Sequence, residues 1–137
     1  MAHWLYKSEP HVWSFEQQMA KGDAGEFWEG VKNPLAQIHM KAMSVGDVGF
    51  FYHSNEGKAV VGIVEVVKPW APDLRDDKGK LGAVTLKAVK PLPKPVTLAA
   101  VKAEPRLAEM VLVKNSRLSV QPVTEEEFAL VCQMGGL

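Results

Sequence analysis

The stretch from Val48 to Val67 constrains this chain more than any other. Two apolar runs, VGFFYHS (48–54) and AVVGIVEVV (59–67), flank the short polar link Asn55-Glu56-Gly57-Lys58. Val, Ile, Phe and Tyr in runs of this length fit the pleated surface of a sheet. Asn-Glu-Gly is turn chemistry, because Asn and Gly accept backbone conformations that most residues resist. A link this short leaves no room for a crossover, so the two runs are read as an antiparallel hairpin. The first run also poses a question. Phe50, Phe51, Tyr52, His53, Ser54 and Asn55 alternate poorly as a half-buried strand, since apolar residues give way to hydrogen-bonding ones without a break.

The remaining chain punctuates itself. HWLYKS (3–8) alternates well enough for a first strand, which Pro10 stops. Ser14 with Gln17 three residues on forms a capping-box pattern for a helix over 14–20, ended by Lys21-Gly22. Leu35, Ile38, Met40 and Met43 recur at roughly helical spacing behind Pro34, which suits a first turn, so 34–43 is a helix and Ser44–Asp47 a turn. Residues 69–82 hold two prolines, two glycines and six charges and are expected as a surface loop. AVTLKAVKPL (83–92) returns as a strand and PLPKP (91–95) as a turn. Thr97 is positioned to cap a helix to about Ala103, Glu104-Pro105 breaks it, and a second short helix runs to about Met110. RLSVQPV (117–123) is a last strand, and Thr124 with Glu127 opens a terminal helix to about Met134. Strands joined by hairpin-type links among short helices predict an α+β, mostly antiparallel and barrel-like sheet.

At 137 residues the chain is expected to be one domain, 1–137, with a composition (47% hydrophobic, 23% charged) ordinary for a soluble protein. No apolar run reaches the ~18–20 residues that span a bilayer, and MAHWLYKSEP lacks a charged segment followed by an apolar one, so no membrane association and a cytoplasmic location are expected. The single Cys132 has no partner for a disulfide or a metal site. Its ordinary role is that of a small apolar residue. Net charge is zero, yet Lys78–Arg117 carries nine basic residues against two acids, +7, leaving −7 for the rest. Such asymmetry can place a positive face on a neutral protein, one able to follow a phosphate backbone, or can scatter lysines around solvated faces.

Catalytic signatures are weak. His3, His11, His39 and His53 show no metal-ligand spacing, so no metal is expected. There is no GxSxG elbow and no phosphate-binding glycine loop. What stands out is the pairing of aromatic residues with small hydrogen-bonding ones at strand ends and turns. Trp4 and Tyr6 lie near Ser8-Glu9, Trp28 lies near Asn33, Tyr52 precedes His53-Ser54-Asn55, and Asn115-Ser116-Arg117 precedes the last strand. A flat heteroaromatic ligand needs π faces to stack on and directional groups at its edge, and these clusters supply both. Taken singly, each has an ordinary structural role: core for Trp4 and Phe51, turn capping for the Ser and Asn pairs.

WLYKSEP at 4–10, WEGVKN at 28–33, GDxxFFYHSN at 46–55, GIVEV at 62–66 and SRLSVQPV at 116–123 together resemble the EVE domain family, in order and over nearly the whole chain. The resemblance implies a PUA-like fold related to YTH and ASCH domains, with a small twisted β-barrel of about five to six mostly antiparallel strands flanked by short helices. It implies binding rather than catalysis: a modified base of DNA or RNA, such as 5-methylcytosine, held in an aromatic-lined pocket. The protein is expected to be a monomer and to need no cofactor. Positions that match the family's blocks and suit a base pocket are Trp4, Ser8, Glu9, Trp28, Val31, Asn33, Tyr52, His53, Ser54 and Asn55. Trp28 is assigned to stacking, Ser8, Asn33 and Ser54 to edge hydrogen bonds, and Glu9 to an exocyclic amine or to a salt bridge with Lys7 or Arg117. Lys7, Lys32, Ser116 and Arg117 are candidates for phosphate. The chain departs from the family pattern where Lys32 replaces a common arginine and Gln37-Ile38-His39 replaces an Arg-Asn-polar run. Two alternatives stand beside this reading: a small-molecule or nucleoside-processing enzyme built on His53, Ser54 and Glu9, and a protein-binding scaffold.

Overall fold

The hairpin around Asn55 is present, with β3 (Val48–His53) antiparallel to β4 (Ala59–Pro72). The computed structural model describes residues 2–137. The other elements are β1 (His3–Ser8), α1 (Phe15–Ala20), β2 (Glu26–Phe27), α2 (Pro34–Ala42), β5 (Gly82–Thr97), α3 (Leu98–Ala103), α4 (Val111–Lys114), β6 (Val120–Val123) and α5 (Glu125–Met134), with 3-10 turns at Gly22–Ala24 and Pro105–Leu107. The six strands form one sheet in the order β2-β5-β4-β3-β1-β6.

The architecture is α+β as expected, with two differences in the sheet. It is mixed, because β1 runs parallel to β3 while every other pair is antiparallel. It is also open, since the edge strands β2 and β6 do not pair with each other among the described residues. Register shifts along β3, β4 and β5 mark bulges, which add local twist to the sheet without closing it.

β3 alternates poorly because it has no solvent face. Phe51 packs on one side with Tyr6, Trp28 and Phe15, while Phe50 and Tyr52 pack on the other with Leu5, Leu107 and Val131. Successive side chains of a strand point to opposite faces, so a strand covered on both sides reads as a continuous apolar run. The α1 and α2 residues Phe15, Ala36 and Met40 cover the first face, and α3 and α5 cover the second through Val101 and Val131. The polar tail that follows closes the end of the sheet. His53 Nε2 accepts from the Phe15 N–H (3.2 Å), the Ser54 N–H donates to Ser8 O (2.9 Å), and Asn55, at φ 65°, donates from Nδ2 to Glu9 Oε1 (2.7 Å).

Two segments read as irregular belong to strands. Trp70 to Pro72 extend β4 and Pro91 to Pro95 lie within β5, in both cases at shifts of register. Between the pairs Val60↔Val96 and Gly62↔Pro91 one residue of β4 faces four of β5, a bulge that spares prolines from donating to the ladder. Lys94 N–H is satisfied instead by Gly135 O (3.0 Å) at the end of α5. The last strand begins at Val120 rather than 117, after a turn in which Leu118 N–H reaches Asn115 O. Both capping boxes form, Ser14 with Gln17 and Thr124 with Glu127. Among the described residues no helix is long and apolar enough to cross a membrane.

Asp47 fastens the α2–β3 turn to β1. Its buried carboxylate accepts from Trp4 Nε1 (3.1 Å), Ser44 N–H (3.0 Å) and Ala2 N–H (3.3 Å). Burial pushes its pKa up, but these donors, Ser44 foremost and then the indole, outweigh that and hold it below the usual aspartate value. Asp47→Ala leaves a buried indole N–H and a turn amide unpaired, so it should lower unfolding free energy by about 2–3 kcal/mol in urea titrations at pH 7.

Candidate functional site

A cleft of about 560 Å³ opens where β1 ends, lined by three remote pieces of chain: Lys7 to Trp13, Glu26 to Lys32, and Ser119. Its volume falls in the range of small-molecule pockets. Trp28 forms part of the wall and is almost wholly buried. Its ring meets Tyr6 (centroids 5.8 Å apart) and Phe51 (5.6 Å) edge-on, and its backbone N–H donates to Val84 O (2.9 Å). Edge-to-face contacts on two sides leave the indole little freedom to turn.

A second tryptophan, Trp13, also lines the cleft, half-buried. Its indole N–H donates to Gln18 Oε1 (2.9 Å), and Gln18 Nε2 in turn donates to Leu86 O (2.8 Å). The Ser8 hydroxyl donates to the Trp13 carbonyl and the Trp13 N–H to Glu9 O, so the wall is tied to the end of β1 as well. Gln18 is fully buried, and a neutral amide there meets both demands without placing a charge in the core.

Opposite, the rim at Glu29 to Lys32 is held by Gln37. Its Nε2 donates to Val31 O (2.8 Å) and Gly82 O (2.9 Å), while Oε1 accepts from Trp70 Nε1 (3.0 Å) and Gly82 N–H (3.3 Å). Glu29 pairs with Arg75. Of the departure from the family pattern at 37–39, Gln37 is a buried structural amide, Ile38 is exposed and His39 packs against the Trp4 ring. Lys7 Nζ donates to Ser116 O (2.7 Å) and lies 5.9 Å from the Tyr52 ring centroid, and burial lowers its pKa. Lys32 is exposed on the rim.

Of the residues singled out in the sequence, the cleft brings together Lys7, Ser8, Glu9, Trp28, Val31 and Lys32. The others lie elsewhere for identifiable reasons. Trp4 is core, its indole spent on Asp47. Asn33 caps α2, accepting from Ala36 N–H (3.0 Å) as Asn before Pro is suited to do. Tyr52 points into the core of the opposite face. His53, Ser54 and Asn55 brace the ends of β1 and α1 and do not line the cleft. Ser116 contributes its carbonyl, as acceptor for Lys7, and Arg117 lies outside the lining.

The arrangement sought for an enzyme on His53, Ser54 and Glu9 is not assembled. His53 accepts from the α1 backbone, Glu9 meets Asn55 and His11, and neither His53 nor Ser54 reaches the cleft. Among the described residues no three His, Cys, Asp or Glu side chains gather as metal ligands. None of the nine basic residues of the +7 segment lines the cleft; Lys87, Arg106 and Lys114 face Asp23, Glu104 and Glu109 instead. Sequence reading missed Trp13, whose only signal is its place directly before the Ser14 cap. It also missed Val12, Phe27, Gly30 and Ser119, and the acids Glu26 and Glu29.

Residues 2–134 match the EVE domain family. The chain is 32% identical over 164 residues to chicken (Gallus gallus) thymocyte nuclear protein 1, covering 96% of this chain and 68% of that protein. It is 63% identical to a Rhodopseudomonas palustris protein solved by NMR, with a TM-score of 0.95 and coverage of 99% of this chain and 94% of the other. It is 30% identical to human THYN1, solved in complex with 5-methylcytosine-containing DNA, with a TM-score of 0.90 and coverage of 100% and 99%.

His53 gives the site's support a pH dependence. Burial lowers its pKa, only partly countered by Glu16, and the unprotonated Nε2 is the acceptor for Phe15 N–H. A histidine with a folded pKa below its unfolded value of about 6.5 contributes fully above that value and loses its contribution as pH falls through the folded pKa. Stability should therefore decline from pH 7 to 5, and His53→Gln, whose Oε1 can accept the same N–H, should flatten part of that decline in denaturation midpoints. His39, shifted the same way by burial, accounts for a residual slope.

Proposed function

The chain belongs to the EVE domain family, and on that premise we propose that it is a non-catalytic nucleic-acid-binding module whose cleft receives one modified base. The observation that carries the reading is the convergence of Trp13 and Trp28 on one cleft of about 560 Å³, with Lys7 and Lys32 also in its lining. A base taken from its stack needs an aromatic surface to replace its lost neighbours, and stacking on a side chain is worth about 1–3 kcal/mol. A modified pyrimidine such as 5-methylcytosine adds an apolar methyl group, for which Val12 and Val31 are suitable company. Its exocyclic amine needs an acceptor, and Glu9 in the lining provides a carboxylate of the right kind. The relative solved with 5-methylcytosine-containing DNA supports the same ligand class.

Lys7 and Lys32 differ in role. Lys7 is half-buried and tied to Ser116 O, so its charge sits in the cleft; Lys32 is free to follow a phosphate outside it. Two lysines and a neutral protein support weak non-specific binding, with discrimination resting on the base itself.

Short oligonucleotides with one modified cytosine should bind saturably and more tightly than unmodified ones in fluorescence anisotropy at fixed salt. Trp13→Ala should weaken the modified complex about 10-fold or more and keep the circular dichroism of the parent. Trp28 is too deeply packed for so clean a substitution. Lys32→Ala should weaken modified and unmodified binding alike and reduce the salt slope by about one. Equal affinity for both oligonucleotides, unmoved by Trp13→Ala, would refute the reading.

A further inference from the structure

Leu74 is the most exposed large apolar side chain among the described residues, 95% open to solvent. It stands in the β4–β5 loop, residues 73–81, and this loop is organised. Asp73 N–H donates to Leu81 O (2.9 Å), Asp76 N–H donates to Asp73 O (3.0 Å), and the Asp76 carboxylate accepts from the N–H groups of Lys78, Lys80 and Leu81. The loop is also fastened beside the cleft. Arg75, next to Leu74, pairs with Asp73 and with Glu29 of the cleft rim. Gln37 bonds the rim at Val31 and the stem of the loop at Gly82 and Trp70 with one side chain.

An apolar side chain carried on an ordered loop at the rim of a base-sized cleft has a physical use. Removing a base from a duplex leaves a gap and costs a few kcal/mol of stacking, and proteins that distort duplexes insert Leu, Phe or Met side chains between base steps. The loop's charges argue for this use over phosphate attraction, since Asp73, Asp76 and Asp77 balance Arg75, Lys78 and Lys80. Resting on the base-binding reading above, we propose that Leu74 is a wedge that enters a nucleic-acid duplex beside the base received by the cleft. The protein then opens a duplex rather than awaiting single strands.

The test compares the wild type, Leu74→Ser and Leu74→Met by anisotropy. The probes are an oligonucleotide with one 5-methylcytosine, single-stranded and as a duplex, and unmodified controls, with 2-aminopurine next to the target reporting unstacking. Leu74→Ser should weaken duplex binding about fivefold or more, reduce the 2-aminopurine rise, and leave single-strand affinity and the salt slope unchanged; Leu74→Met should retain duplex binding. If Leu74→Ser matches the wild type on the duplex, or loses the same factor on both forms, the wedge is refuted while preference for the modified base stands. If the wild type shows no such preference on either form, the base-binding reading falls and the wedge with it.

Discussion

Everything in this fold is hung on a strand with no wet side. β3 lies inside the sheet between β4 and β1, and its alternate residues feed two separate cores, Phe51 on one face and Phe50 with Tyr52 on the other. Covering both faces requires helices on both, which is why α1 and α2 must return to one side and α3 and α5 to the other. Covering also sets tight steric terms. Gly62, paired with Phe51, admits no methyl group because the Phe15 ring rests directly on it, and that ring is how α1 is seated on the sheet. The cleft inherits its position from this arrangement. Where β1 ends beside β3, the chain leaves the sheet at Ser8-Glu9, and α1 holds the departing segment through Trp13 and Gln18.

The walls of the cleft are placed by neutral amides. Gln18 joins Trp13 to β5, and Gln37 joins the 29–32 rim to β5 and Trp70. Each is buried and uses both its donor and its acceptor, which matters because an amide with an idle group in the core would cost about 1–3 kcal/mol. A charged residue at either position would need a counter-charge in a low-dielectric interior. Fully used amides instead convert burial into orientation, and Trp28, wedged edge-on between Tyr6 and Phe51, is oriented by packing to the same effect.

How much of this was legible depends on the range of the interaction. Local signals read correctly: the Asn55 hairpin, the Ser14 and Thr124 capping boxes and the helix behind Pro34 all depend on neighbours within a few residues. The parallel pairing of β1 with β3 was not legible, because it joins strands about forty residues apart and leaves no turn to announce it. Proline misled in β5, where a bulge accommodates a motif that ordinarily ends a strand. The same difference of range divides the site. Ser8, Glu9 and Trp28 were found because aromatic and polar residues lie together in sequence near them. Trp13 was not, since its partner Gln18 reads as one more helical residue. Asn33, His53 and Asn55 carry hydrogen-bonding groups suited to a ligand, yet each is consumed by a backbone or side-chain partner that only the folded chain supplies.

Electrostatics complete the logic of the cleft. Three carboxylates line it, Glu9, Glu26 and Glu29, an odd lining for a surface proposed to lie beside phosphate. Each has a partner on the protein: Asn55 and His11 for Glu9, Lys21 for Glu26, Arg75 for Glu29. Such pairs are solvent-exposed and contribute only about 0–1 kcal/mol apiece. Lys21 and Arg75 offset the charges of Glu26 and Glu29 through exposed, exchangeable contacts, whereas the neutral Asn55 amide orients Glu9 without cancelling its charge. A carboxylate held by an amide, as Glu9 is by Asn55, keeps its remaining lone pairs for a donor such as an exocyclic amine. On the base-binding reading proposed above, such a lining serves discrimination of a base inside the cleft more than attraction of nucleic acid at a distance.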